Sequence, residues 1–214
     1  MNTRGGLRLA SCAIRRHDRE VALSRPFRYE PPQQSPGSIV RPTVQRTLAG
    51  RFDRRVTLAV GGAGFGKSTA LANAIAENLL RPRGADVWLA CEERDAEVEF
   101  FRDGVAITLG VATAATDDEL IEAAIERIGG LAPQRICLML DDVQLLGDDS
   151  AALVDRLIDE LPRNACIVLA GRSLPTLRLA RLELIGQAER IDETNLAFTA
   201  DEVRSLLGDD AATG

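Results

Sequence analysis

Gly61-Gly62-Ala63-Gly64-Phe65-Gly66-Lys67-Ser68 decides the reading of this chain. The octet satisfies the pattern G-x-x-x-x-G-K-[ST] at every fixed position. Lys67 is also the sole lysine among 26 basic residues; every other one is arginine. A guanidinium is a broad planar fork, whereas an ammonium is a compact point charge that fits among phosphate oxygens. A chain that uses arginine everywhere else keeps its one lysine where only the compact cation fits. A nucleoside triphosphate or diphosphate is the expected ligand.

The flanks supply the context that the pattern requires. Arg55-Val56-Thr57-Leu58-Ala59-Val60 reads as a short buried strand running into the glycines. Ser68 to Leu80, beginning Ser68-Thr69-Ala70-Leu71, is rich in alanine and leucine at helical spacing, and Pro82 follows its end. In a strand–loop–helix unit the glycines let backbone N–H groups converge on phosphates, and the helix N-terminus adds its positive dipole end. Ser68 is positioned to offer its hydroxyl to Mg²⁺, and Gly61 through Thr69 form the expected phosphate site.

Downstream, Ile136-Cys137-Leu138-Met139-Leu140 is a continuous apolar run ending in Asp141-Asp142. A buried parallel strand delivers acids in this way to the C-terminal edge of a sheet, where ligands bind. Asp141 is the natural partner for a Mg²⁺ held through Ser68, and Asp142 is the candidate to orient or deprotonate an attacking water. The rival reading is a turn cap, since an aspartate pair often follows a strand. A third apolar run, Ala165 to Ala170, enters Gly171-Arg172-Ser173. Arg172 is the candidate to contact a terminal phosphate, against the alternative of a solvated surface arginine.

Together these stretches resemble the nucleotide-binding domain of the MalT-like signal-transducing ATPases of large LuxR-type bacterial transcriptional activators. The similar segments span roughly residues 38 to 207. They include Ile39-Val40-Arg41-Pro42-Thr43-Val44, Val87-Trp88-Leu89-Ala90-Cys91-Glu92-Glu93-Arg94-Asp95, Leu140-Asp141-Asp142-Val143-Gln144, Ala170-Gly171-Arg172-Ser173-Leu174-Pro175 and Asn195-Leu196-Ala197-Phe198-Thr199. The resemblance implies a P-loop NTPase with sheet order 5-1-4-3-2, and a segment around Arg41 and Pro42 that covers an adenine. It also implies ATP or ADP with Mg²⁺ as ligands. Gln144 stands where the family usually has histidine, and Cys91-Glu92 where it tends to have Leu-Asp; neither is expected to touch the phosphate site. Family members continue through a helical lid, a repeat-built sensor and a helix-turn-helix, so a truncated member is expected here. Phe198 to Leu207, with a Thr-x-x-Glu capping box at Thr199 and Glu202, reads as the first lid helix.

Composition bounds what else the chain can do. With 214 residues, 45% of them hydrophobic, one α/β domain plus an appendage is expected. A net charge of −6 argues against non-specific nucleic-acid binding by the domain. Seven arginines against Asp18, Glu20 and Glu30 make residues 1–37 basic. This stretch reads as a disordered leader ending in the linker Pro31 to Gly37, with a nucleic-acid arm or an organellar presequence as rivals. Leu9-Ala10-Ser11-Cys12 mimics a lipoprotein cleavage box but lacks the preceding apolar core. No apolar run reaches membrane-spanning length. Cys12, Cys91, Cys137 and Cys166 show no C-x-x-C spacing and read as small hydrophobes in a reducing cytosol; His17 has no metal partner in view.

Strands are expected at 56–60, 86–90, 136–141, 166–170 and 188–191. Helices are expected near 67–80, 95–109, 118–128, 150–161 and 176–185. Alternating elements with buried strands mean a mainly parallel sheet with helices on both faces. The domain reading is therefore a basic leader at 1–37, a nucleotide-binding domain at 38–197 and the start of a lid at 198–214. The functional expectation is a nucleotide-dependent regulatory switch with slow Mg²⁺-dependent ATP hydrolysis, cytoplasmic and without specific DNA binding of its own. Self-association in the ATP state is a further expectation. An actively hydrolysing AAA-type ATPase and a nucleotide-binding remnant are the alternatives.

Overall fold

The computed structural model describes residues 26–33 and 41–197. The leader before residue 26, Ile39-Val40 and the expected lid helix at Phe198 to Leu207 lie outside them. Five strands, β1 (Val56–Val60), β2 (Ala85–Ala90), β3 (Ile136–Asp141), β4 (Ala165–Gly171) and β5 (Ala188–Ile191), form one sheet in the order β2-β3-β4-β1-β5. Every pairing is parallel. This is the expected 5-1-4-3-2 order of a P-loop NTPase α/β fold.

Strand alternation sorts the side chains onto two faces. Val56, Leu58, Leu138, Leu140, Ile167 and Leu169 share one apolar cluster, covered by α4 (Val98–Leu109), α5 (Asp117–Gly129) and α6 (Asp148–Glu160). Ala59, Cys137, Met139, Cys166, Val168 and Ala170 share the other, covered by α2 (Pro42–Ala49) and α3 (Lys67–Leu80). The α3 face is built from smaller residues, and Ala70 and Ala74 bring that helix close to the sheet. Burial on both faces explains why β3 up to Leu140 and the whole of β4 are apolar instead of alternating. The cysteines of the described residues, Cys91, Cys137 and Cys166, are buried thiols within these clusters.

Polar contacts close the ends of the elements. Thr116 caps α5 by accepting from the Glu119 backbone N–H, while the Glu119 carboxylate takes the Ala115 N–H, satisfying two otherwise orphaned donors. Arg55, entering β1, donates to the carbonyls of Ile158, Leu161, Pro162 and Ala165. It thereby satisfies the carbonyl end of α6 and pins that helix to the start of β1. The expected helix over 176–185 is reduced to α7 (Ala180–Leu184). Residues 176–179 are not helical, and there the Arg178 N–H donates to the Asp155 carboxylate. The helix expected from 95 begins at Val98, because residues 93–96 form a separate 3₁₀ turn closed by a Glu92–Asp95 capping box.

The leader reading meets a further finding. Within residues 26–33, α1 (Pro26–Tyr29) packs beside β2, and Arg28 is fully buried. Its guanidinium grips both carboxylate oxygens of Asp95, each at 2.8 Å, and Gly104 leaves the room it occupies. Asp95 also caps the Glu92 N–H, and its carbonyl receives the Ser150 hydroxyl. This stretch is part of the domain's packing. Removing one partner of a buried pair strands the other charge and costs about 3–5 kcal/mol. Arg28→Ala is therefore expected to lower stability by about that amount in denaturant titration. Arg83→Ala, which breaks the exposed pair with Asp53, is expected to cost about 1 kcal/mol or less. Equal effects would mean that the Arg28 contact contributes no more than a surface pair.

Candidate functional site

The C-terminal ends of β1, β3 and β4 lie side by side in the sheet and bring the sequence-singled residues to one edge. The loop leaving β1 is anchored at its start, where the Gly61 N–H donates to the Gly171 carbonyl at the end of β4. Gly64 and Gly66 adopt left-handed backbone conformations, φ 82° and 71°, that side chains with a Cβ rarely reach. Gly66 then opens α3, so Lys67 and Ser68 occupy its first turn. The Lys67 ammonium is buried and folds back across the loop, donating to the carbonyls of Gly61 at 2.6 Å and Gly62 at 2.9 Å. An ammonium has three donors, so one remains for an anion seated in the loop.

Two side chains far away in sequence brace the same loop. Arg41 is buried, and its guanidinium donates to the carbonyls of Phe65 and Gly66, each at 3.0 Å, and of Leu196 at 2.6 Å. A Cβ on Gly66 would stand 3.1 Å from that guanidinium. The side chain of Arg41 is thus committed to the loop's own backbone, while Pro42 beside it is exposed at the start of α2. Glu193, opening α8 (Glu193–Leu196), accepts the Gly62 N–H at 2.9 Å. Sequence reasoning missed Glu193, because no motif joins it to a glycine 131 positions away.

At the end of β3, Asp141 is buried, with the Ser68 hydroxyl close enough to favour its charged form. Its Oδ1 is buried without a hydrogen-bond partner among the described residues. Burial pushes the Asp141 carboxyl above its ordinary range and the Asp142 charge adds to this, while the Ser68 hydroxyl, the Asp142 N–H and Lys67 oppose it. A buried carboxylate oxygen with no partner, next to a hydroxyl, is a fitting pair of hard donors for a cation such as Mg²⁺. Asp142 takes a left-handed conformation, φ 58°, uncommon for a residue with a side chain. Ala63, Gly64 and Thr69 are exposed around the loop.

One expectation is corrected here. Gln144 does touch this edge: its Nε2 donates to Asp142 Oδ1 at 2.9 Å, and its Oε1 accepts the Arg172 N–H at 2.9 Å. Cys91 also reaches it through its backbone, donating to the Asp141 carbonyl at 2.8 Å. Both were missed for the same reason: parallel strand ends become neighbours only in the folded sheet. The Arg172 side chain is exposed at the rim of an open cleft of about 620 Å³ that Val60, Ser173, Leu177 and Arg190 also line.

No family model matches the chain. The chain is 26% identical over 201 residues to the HTH-type transcriptional regulator MalT of Klebsiella pneumoniae subsp. pneumoniae, covering 86% of this chain and 21% of that protein. It is 26% identical over 198 residues to the serine/threonine-protein kinase PknK of Mycobacterium tuberculosis, covering 85% of this chain and 18% of the kinase. The chain thus spans about a fifth of the length of these curated relatives. A chain of Drosophila ORC bound to AT-rich DNA and Cdc6 matches with a TM-score of 0.47 and 12% identity, over 76% of this chain and 59% of its own length. A chain of the E. coli MS115-1 HORMA:CdnC:Trip13 complex matches with a TM-score of 0.43 and 16% identity, over 82% of this chain and 58% of its own length. At these scores the structural likenesses carry no argument about function; the sheet order and loop geometry carry the fold.

The raised Asp141 carboxyl has a thermodynamic consequence for the metal-free chain. Its charge is disfavoured in the folded state, so ionised Asp141 lowers stability at neutral pH, and the penalty is relieved as pH falls through the raised value. Asp141→Asn is expected to raise the thermal midpoint of the metal-free chain at neutral pH, with the gain shrinking in acid. Calorimetry across pH 4 to 8 checks this. A lowered midpoint at neutral pH would mean that the carboxylate is a net stabiliser.

Proposed function

We propose that this chain carries an ATP/ADP-binding regulatory switch domain of the MalT-like kind, with slow Mg²⁺-dependent hydrolysis. The observation that carries the reading is the buried Lys67 ammonium, closed over the Gly61 and Gly62 carbonyls at the mouth of α3. It combines a compact cation, backbone donors and a helix N-terminus at one point, which is the chemistry of a di- or triphosphate cradle. The distant sequence likeness to MalT and PknK supports a nucleotide-binding P-loop domain.

The roles follow from the groups present. Lys67 and the loop N–H groups hold the phosphates. Ser68 and Asp141 would hold Mg²⁺, which when bound neutralises charge on the β- and γ-phosphate oxygens. Asp142 orients a water, and Arg172 extends toward the terminal phosphate. Pro42 and the backbone of Arg41 would lie against the base, with the Arg41 guanidinium held by the loop.

A switch needs the loop's state to be felt elsewhere. Arg41 donates both to the loop and to Leu196, and Glu193 holds Gly62, so the loop and α8 share two fastenings. Movement of the loop on exchanging ATP for ADP would pull on α8. We take the DNA-reading function of the MalT-like regulators to reside outside these residues. The second reading, a working ATPase, would require rapid multiple turnover by this chain.

Titration with a fluorescent ATP analogue tests the reading. Lys67→Ala is expected to weaken binding on the order of ten- to a hundredfold or more, the loss of one charge-assisted contact, with the fold intact. Lys67→Arg is not expected to rescue it, because the fork does not fit the space closed by two carbonyls. Unchanged affinity in the alanine variant would remove the nucleotide assignment. Asp141→Asn is expected to weaken Mg²⁺–ATP more than metal-free ADP, as read by calorimetry with and without the metal. Equal losses for the two ligands would reduce Asp141 to a turn cap.

A further inference from the structure

Gln144 ties Asp142 to Arg172 across the ends of two strands. Its amide bridges β3 and β4: the nitrogen side donates to Asp142 Oδ1 and the oxygen side accepts the Arg172 N–H, both at 2.9 Å. The orientation is dictated by the partners, since a carboxylate only accepts and a backbone N–H only donates. The bridge is also tightly seated. A Cβ on Gly171 would stand 2.7 Å from the Gln144 oxygen, so this position of β4 accommodates the amide only as glycine. The carbonyl of the same Gly171 accepts the Gly61 N–H, which links the bridge to the start of the phosphate loop.

We infer that Gln144 is a positioning residue for hydrolysis, holding the Asp142 carboxylate in register with Arg172. The inference rests on the nucleotide-hydrolysis reading above. Asp142 stands on a left-handed backbone position, and its short side chain has its Oδ1 anchored by the amide. With Oδ1 tied, rotation of the carboxylate is restrained and Oδ2 is the oxygen left to meet a water. Because the other end of the amide holds the backbone of Arg172, a displacement of that residue by a terminal phosphate is transmitted to Asp142. Binding of the nucleotide itself does not pass through this bridge; that task falls to Lys67 and the loop. Loss of the bridge therefore acts on turnover and spares affinity, as expected for misalignment of a reacting group.

The test compares the full chain with Gln144→Met, Gln144→Glu and Gln144→His in steady-state Mg²⁺–ATP hydrolysis and in nucleotide titration. Met keeps the length without either hydrogen bond. Glu keeps the acceptor for Arg172 but sets a like charge against Asp142. Neutral histidine offers one donor and one acceptor, so it can restore both contacts. The expected result is a kcat about tenfold lower for Met and for Glu, with ATP affinity within about twofold of wild type, and His within about threefold of wild-type kcat. If Met fails to fold, as judged by thermal melting, the Glu and His variants carry the comparison. Affinity falling in step with kcat, an unchanged kcat in Met or Glu, or a His variant as slow as Met would overturn the proposal. Tight Mg²⁺–ATP binding without turnover in wild type would overturn it while leaving the nucleotide-binding reading intact. A wild-type chain that binds no nucleotide would overturn both.

Discussion

A loop that presents its N–H groups to an anion must turn its carbonyls somewhere, and those carbonyls need cations or donors of their own. The rest of the site depends on how this chain meets that constraint. Lys67 takes the carbonyls of Gly61 and Gly62, and Arg41 takes those of Phe65 and Gly66. The loop is thereby held open as a cradle, with its glycines in left-handed conformations at positions 64 and 66. The other candidate residues are arranged around that shape: Ser68 on the first turn of α3, Asp141 at the end of β3, and the Gln144 bridge between the ends of β3 and β4.

The arginine bias of the composition acquires a structural meaning from the same logic. Arg28, Arg41, Arg51 and Arg55 all act inward, and each uses the several donors of one planar group to serve several acceptors at once. Arg51 makes a bidentate pair with Asp86 and also donates to the Leu48 carbonyl. Arg55 satisfies a helix end, Arg28 secures the segment that carries Asp95, and Arg41 spans the phosphate loop and Leu196. Lysine could not replace these forks. A fork could not replace Lys67, where two carbonyls close on a single nitrogen. The division of labour between the two cations is therefore geometric.

The site also concentrates unfavourable terms, as ligand sites often do. Asp141 is buried with one oxygen lacking a hydrogen bond among the described residues, and Asp142 sits at a positive φ. Neither feature helps the fold. Both lie at the sheet edge where the Ser68 hydroxyl is also found, and the neighbouring Gln144 amide spends both of its polar ends there. The strain and the polar network are parts of one local arrangement, supported by a central sheet whose β3 and β4 are buried throughout.

The sequence by itself determined the local units. A strand, a glycine loop and a helix are specified by contiguous residues, so β1, the loop and α3 were readable to within a residue. The buried runs ending at Asp141 and Gly171 were readable as well, because continuous apolarity identifies a strand covered on both faces. The sheet order needed the family resemblance, since periodicity does not say which strands are neighbours. What tertiary structure alone decided are the contacts across strand ends and between distant segments: Arg41 on Leu196, Glu193 on Gly62, Gln144 between Asp142 and Arg172, and Arg28 on Asp95. These depend on register and approach in three dimensions, which no local pattern encodes. The segment before the short α7 belongs here too: the Arg178 N–H meets the Asp155 carboxylate, a contact between distant residues. Short-range preference names the elements; a hydrogen-bonding group goes to whichever partner the packed sheet brings within reach.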